Sequence, residues 1–164
     1  MEGEVRWNGK RVLANRVPDF RRNVCYVPQR MSAFDGTVRE TLQLPFSLAS
    51  WSNLRFDERK INEWLATFQR ERSFLDKTAR ELSGGEFQLV RLLLALQASP
   101  TVLLFDEPTA AMDAKMALCA EEVIRNWIDA ESSRAYAWIS HSDSQIERVA
   151  TRQVTMKRGR LGVR

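Results

Sequence analysis

The sequence predicts an α/β fold built round a parallel sheet, and three observations carry that prediction. Strands and helices alternate through the second half of the chain. Val102-Leu103-Leu104-Phe105 is an unbroken apolar run closed by Asp106 and Glu107, the pattern of a strand buried on both faces. Ala135 to Ser140 reads as a second buried strand, and it ends at His141. Open α/β sheets place their ligands at the carboxyl ends of strands, so these acidic and histidine side chains are candidates from the outset.

Taken in order, Glu4 to Trp7 and Arg11 to Leu13 flank Asn8-Gly9, a turn pair that joins two short strands in a hairpin. Val24 to Val27 is a short apolar strand that stops at Pro28. Gly36-Thr37 opens a short helix over Val38 to Leu44, which ends before Pro45. Phe46 to Phe56 reads as irregular. Asp57 caps a helix whose apolar residues, Ile61, Trp64, Leu65 and Phe68, recur at helical spacing. Ser83 and Glu86 make a capping box at the start of a helix carrying Leu89, Leu92, Leu93 and Leu96, with Pro100 just beyond its end. Asp113 caps a long amphipathic helix through Met116, Ala120, Val123, Ile124, Trp127 and Ile128. Ser142-Asp143 begins another helix, and Val154 to Lys157 with Leu161 to Val163 form a closing hairpin round Gly159.

Composition narrows the class. At 164 residues, 44% hydrophobic and 28% charged, the chain has the make-up of one soluble globular domain. No apolar run approaches the roughly 20 residues of a membrane span, and the acidic start Met1-Glu2-Gly3-Glu4 is no signal peptide. Cys25 and Cys119 make no disulfide framework and read as buried thiols in a reducing cytoplasm. Lysine and arginine number 25 against 21 aspartates and glutamates, a net charge of +4. The positive residues are scattered, with local clusters, so they fit a solvated surface better than a nucleic-acid groove.

Two segments carry chemistry. Asp106, at the end of a buried strand, is placed to hold Mg²⁺ through its water shell, and Glu107 beside it to orient or deprotonate a water. In Leu82-Ser83-Gly84-Gly85-Glu86, the cap needs only Ser83 and Glu86. The glycine pair weakens the helix but exposes backbone N–H groups at its positive end, which suits phosphate.

These segments together, followed by Asp106-Glu107-Pro108-Thr109, Met112-Asp113 and Ser140-His141, resemble the ATP-binding cassette (ABC) ATPases. Tyr26-Val27-Pro28-Gln29 is similar to the Q-loop of that family. The resemblance spans Tyr26 to His141 in the family's order. Val38 to Leu42, Leu44-Pro45-Phe46, Glu86 and Ala95-Leu96-Gln97 look most like small stand-alone bacterial ATP-binding subunits of the iron-export type. The resemblance implies a P-loop NTPase-like α/β domain, with a helical subdomain over about 32–98 and a C-terminal α/β part over 99–164. It implies ATP and Mg²⁺ as ligands and ATP hydrolysis as the reaction. By the same resemblance Asp106 is the Mg²⁺-directed carboxylate and Glu107 the general base. His141 contacts the γ-phosphate and the attacking water, and Gln29 reaches Mg²⁺ and that water. Asp113 lies at a dimer interface. Ser83, Gly84 and Gly85, with Glu86 at the fifth signature position, belong to the segment that binds ATP held by an opposite subunit. The implied partners are a second ABC ATPase subunit, head to tail, and a separate transmembrane permease that would keep the chain on the inner face of the membrane. No nucleic acid is implied.

Four features depart from the family pattern. No G-x-x-x-x-G-K-[ST] segment is present, nor the adenine-stacking aromatic that precedes it. Leu89 and Leu94 stand where the family has arginines, with Arg91 nearby, and Met112 stands for leucine. Met1 to Val5 aligns with the hairpin that follows the P-loop helix. The chain is therefore expected to lack the P-loop strand and helix, through a misassigned start, a gene fragment or genuine absence of the loop. Losing about four charge-assisted phosphate bonds at roughly 1.5 kcal/mol each would weaken ATP binding in its own site above ~10⁴-fold, leaving the chain inactive alone. Two other functions compete: a non-catalytic partner lending its signature segment to a complete subunit, and a soluble ABC protein of DNA repair or translation.

Overall fold

The computed structural model describes residues 3–29, 34–47 and 55–163. It opens on a hairpin of β1 (Arg6–Trp7) and β2 (Lys10–Arg11), with Asn8 and Gly9 both at positive φ in the turn. Helix α1 (Val17–Asn23) follows, with a proline in its first turn, Asp19 at its start and Arg21 and Arg22 at its end. Those are orthodox helix-end residues, yet in the sequence they pass as part of a positive cluster. Strand β3 (Val24–Val27) leads to α2 (Val38–Gln43), capped by Thr37 and Glu40, and then a 3₁₀ turn, Leu44–Ser47. Most of the segment expected to be irregular lies outside the described residues. Helix α3 (Glu58–Thr67) is capped by Asp57, and α4 (Gly84–Gln97) by Ser83. Then come β4 (Val102–Asp106), α5 (Ala114–Asp129), β5 (Ala135–Ile139), α6 (Asp143–Val149) and a hairpin of β6 (Val154–Lys157) and β7 (Arg160–Val163).

Strands β3, β4 and β5 form a parallel sheet in that order, with Val27 opposite Phe105 and Phe105 opposite Trp138. One face carries Cys25, Val27, Leu103, Phe105, Tyr136 and Trp138. These join Leu89, Leu92, Leu93 and Leu96 of α4 and Met116, Ala120, Val123, Ile124 and Trp127 of α5 in one apolar core. The other face corrects the sequence reading. Strands β4 and β5 were expected to be buried on both sides, but Val102 and Leu104 are half-buried, Ala135 and Ala137 are exposed, and Tyr26 and Ile139 are each 57% exposed. A continuous apolar run does not distinguish a strand covered twice from one covered once. The two cysteines are free and half-buried, and burial pushes the Cys25 thiol up to about 11.

A buried polar network fixes α6. Gln145 donates from Nε2 to Thr109 Oγ1 and to Glu121 Oε1, each at 2.9 Å, and accepts from the Ser140 hydroxyl at 2.8 Å. Arg148 grips both Glu121 oxygens, Nε at 2.8 Å and Nη2 at 2.9 Å. The Arg148 hydrogen bonds hold the Glu121 carboxyl below the usual carboxylate range, against the opposite pull of burial. A folded-state pKa depressed in this way gives stability that is complete above the unfolded value of about 4.3 and is lost as pH falls through the lower folded value. Urea titrations from pH 6 downward are therefore expected to show a steeper acid loss in the wild type than in Glu121→Gln. Parallel curves would remove Glu121 from the acid response.

Candidate functional site

Parallel register brings the ends of β3, β4 and β5 to one edge, and the next residues of each strand meet there. Glu107 follows Asp106 with φ at +49°, in the left-handed region that non-glycine residues seldom occupy. Its N–H donates to the Ile139 carbonyl at 3.0 Å, and its own carbonyl accepts from Gln88 Nε2 at 3.3 Å. These bonds turn the carboxylate across the sheet edge. There Oε1 lies 2.8 Å from His141 Nε2, and Oε2 accepts from Gln29 Nε2 at 3.1 Å. The carboxylate is mostly shielded, at 17% exposed, whereas the His141 ring is 90% exposed. Asp106 Oδ2 accepts from the Tyr26 hydroxyl at 2.9 Å, and that bond raises the pKa of the phenol. Beside them lies an open hollow of about 630 Å³ whose wall includes Glu107, Thr109, Ser140, His141, Ser144 and Arg148.

The signature segment packs against Ala111 and Met112, in the turn that follows Glu107. Ser83 Oγ accepts from the Glu86 N–H at 3.2 Å, while the Glu86 carboxylate accepts from the Ser83 N–H at 3.0 Å. Burial pushes the Glu86 carboxyl up, but the Ser83 N–H, Lys77 Nζ at 3.1 Å and Arg70 outweigh it and hold the carboxyl low. Gly85 has a steric reason that the sequence does not reveal. A Cβ there would lie 2.9 Å from the Ala111 carbonyl oxygen and 3.3 Å from the Met112 Cα, whereas one on Gly84 would meet only the Ala111 Cβ at 3.4 Å. Asp113 caps α5, its Oδ1 accepting from the Met116 N–H at 2.8 Å. The structure thus brings Gln29, Glu107 and His141 into direct contact, with Asp106 adjoining. It places Ser83, Gly84, Gly85 and Asp113 as a second group round Ala111 and Met112.

The described residues include no cluster of three or more His, Cys, Asp or Glu side chains fit for a metal ion. Mg²⁺ needs none: it takes one or two carboxylates, keeps several waters and shares the substrate's phosphates. The hard-oxygen pair of Asp106 and the Gln29 side-chain carbonyl suits that chemistry.

The family model described as "ABC transporter" matches residues 1–110. The chain belongs to the ABC transporter family. The protein named "Probable iron export ATP-binding protein FetA" of Escherichia coli is 31% identical over 144 residues, 88% of this chain and 62% of its own length. The carnitine transport ATP-binding protein OpuCA of Listeria monocytogenes is 30% identical over 161 residues, 98% of this chain and 40% of its own. This ABC chain therefore spans between two fifths and about three fifths of the length of these relatives. Among solved structures, an ATP-binding subunit of an ABC transporter superposes with a TM-score of 0.81 at 22% identity, covering 99% of this chain and 67% of its own. A dimeric ATP-binding cassette in a post-hydrolysis state with ADP and Pi gives 0.79 at 24%, covering 99% and 73%. The α/β ABC fold is shared with both.

Sequence reading missed three members of this ABC site. Tyr26 was only part of a motif, Gln88 an unremarked helical residue, and Arg91 a displaced charge. Gln88 and Arg91 act on backbone carbonyls far away in the chain, so no local pattern announces them. The two glycines are expected to separate in a stability measurement. Gly84→Ala is accommodated, whereas Gly85→Ala drives a Cβ into backbone and loses about 1–3 kcal/mol, read from the urea midpoint. Equal midpoints for the two variants would mean that the Ala111 turn gives way.

Proposed function

We propose that this chain is the catalytic part of an ATP-binding subunit of an ABC-type transporter, coupling ATP hydrolysis to transport. The convergence of Gln29, Glu107 and His141 at the carboxyl edge of a parallel sheet, beside Asp106, is the observation that carries this reading. In it, Glu107 takes a proton from the attacking water, which Gln29 and His141 orient, and the reaction proceeds by positioning and electrostatics. His141 also faces the γ-phosphate. Asp106, with Gln29, would hold Mg²⁺, which when bound supplies charge neutralisation to the phosphates. The first turn of α4 leaves backbone N–H groups free of helical partners, so Ser83, Gly84 and Gly85 suit the γ-phosphate of an ATP held by an opposing subunit. Asp113, the cap of α5 next to Met112, would lie at that interface. Glu86 supports it through the cap.

The partners that follow are a second ABC ATPase subunit arranged head to tail and a separate transmembrane permease. No helix among the described residues is long and apolar enough to cross a membrane. The chain would sit on its cytoplasmic side.

The test uses the complex that this chain forms in its own cell, captured by a tag on the chain. With a G-x-x-x-x-G-K-[ST] segment supplied ahead of Met1, Mg²⁺-dependent ATP hydrolysis is expected. Glu107→Gln should lower turnover about 10²-fold or more and leave ATP binding in place, while Asp106→Asn should raise the Mg²⁺ concentration needed for half-maximal rate. Unchanged turnover in the Glu107 variant would take the general-base role from it.

A further inference from the structure

Gln88 and Arg91 lie three residues apart on α4, on one face of the helix. Both are buried, at 7% and 6% exposure. Gln88 spends its whole amide on the turn after β4: Nε2 donates to the Glu107 carbonyl at 3.3 Å and Oε1 accepts from the Ala111 N–H at 2.8 Å. Arg91 Nη1 donates to the Gln29 carbonyl at 2.9 Å. One helix therefore holds the backbones of the two residues whose side chains meet at 3.1 Å.

Stability does not account for Arg91. Among the described residues, its Nε and Nη2 have no hydrogen-bond partner, and burial makes the guanidinium less basic than usual. Replacing a buried charge of this kind by an apolar chain of similar volume is often neutral or stabilising. Its one observed bond goes to Gln29. At the same time Glu107 occupies a strained backbone conformation, which persists only where surrounding contacts over-determine it, and Gln88 is one of those contacts.

We propose that Arg91, together with Gln88, is a positioning residue: α4 sets the Gln29–Glu107 contact through the two carbonyls it holds. A turn or slide of α4 then withdraws Gln29 from the carboxylate. Ser83, at the head of the helix, lies about 12 Å along the axis from Arg91. Binding at the signature segment and the geometry of the glutamate are thereby mechanically joined. This rests on the reading of Glu107 as the base.

His141 is the single histidine of the chain, and its Nε2 touches the same carboxylate. Its ring ¹⁵N and ¹H resonances, recorded on the full chain at one fixed pH, therefore report on Glu107 without any need for turnover. Arg91→Met keeps the stem and removes the donors, Arg91→Lys keeps a donor, and Gln29→Ala removes the contact itself. The His141 Nε2 resonance is expected to move alike in Arg91→Met and Gln29→Ala and to return toward wild type in Arg91→Lys. The thermal midpoint of Arg91→Met should equal or exceed that of the wild type. In the native complex, Arg91→Met should lower kcat about tenfold or more, with KM for ATP within about twofold. A His141 resonance that moves in Gln29→Ala but not in Arg91→Met overturns the proposal, as does one that moves in neither. Should Arg91→Met fail to fold, Arg91→Gln is read by the same criteria. If the resonances behave as expected while the complex hydrolyses no ATP, the positioning role stands and the hydrolytic reading falls.

Discussion

Parallel pairing of β3 with β4 and of β4 with β5 sets Val27, Phe105 and Trp138 at one level of the sheet. Two residues further on stand Gln29, Glu107 and Ser140, and His141 follows. A slip of one residue in either pairing would send Phe105 to the open face and carry the polar residues out of reach of one another. What prevents the slip is the one-sided core. Leu103 and Phe105 are almost wholly enclosed against α4 and α5, and the cost of exposing them is roughly 1.5–3 kcal/mol each. The chemistry at the edge thus rests on apolar packing some residues away.

The turn from Glu107 to Asp113 then divides the polar residues into two groups. Its first residue is held in the left-handed region by the Ile139 carbonyl on one side and Gln88 on the other. Its last residue caps α5. Between them Ala111 presents its carbonyl to Gly85, so closely that a side chain at that position has no room. The glutamate therefore begins the same stretch of backbone against which the signature segment packs.

Much of this was legible in the sequence because it is local. Thr37, Asp57, Ser83, Asp113 and Ser142 all cap the helices expected of them, and Asn8-Gly9 makes its turn. Asp106, Glu107 and His141 could be placed because each ends a strand. Gln29 came in only through its likeness to a family motif. What stayed hidden is non-local. The half-open sheet depends on what packs where, and alternation cannot show that when every strand residue is apolar. Arg91 and Gln29 lie 62 residues apart in sequence. The glycine pair looked like a single feature, but only Gly85 has a backbone oxygen against it. Helix α1 was obscured because its own end charges resemble a basic patch.

Why the helix acts on carbonyls, and not on side chains, follows from stiffness. A side chain held at its tip can rotate about its χ angles and keep the bond while its Cα moves. A main-chain carbonyl has no such freedom, because the peptide plane joins it to two Cα atoms. A displacement of α4 therefore reaches the backbone of Gln29 and Glu107 to the extent that burial fixes the χ angles of Gln88 and Arg91 themselves. Their side chains, in contact at 3.1 Å, meet or part accordingly. Since a hydrogen bond weakens steeply once its length and angle leave a narrow range, a shift of less than an ångström is enough to make or break the pair.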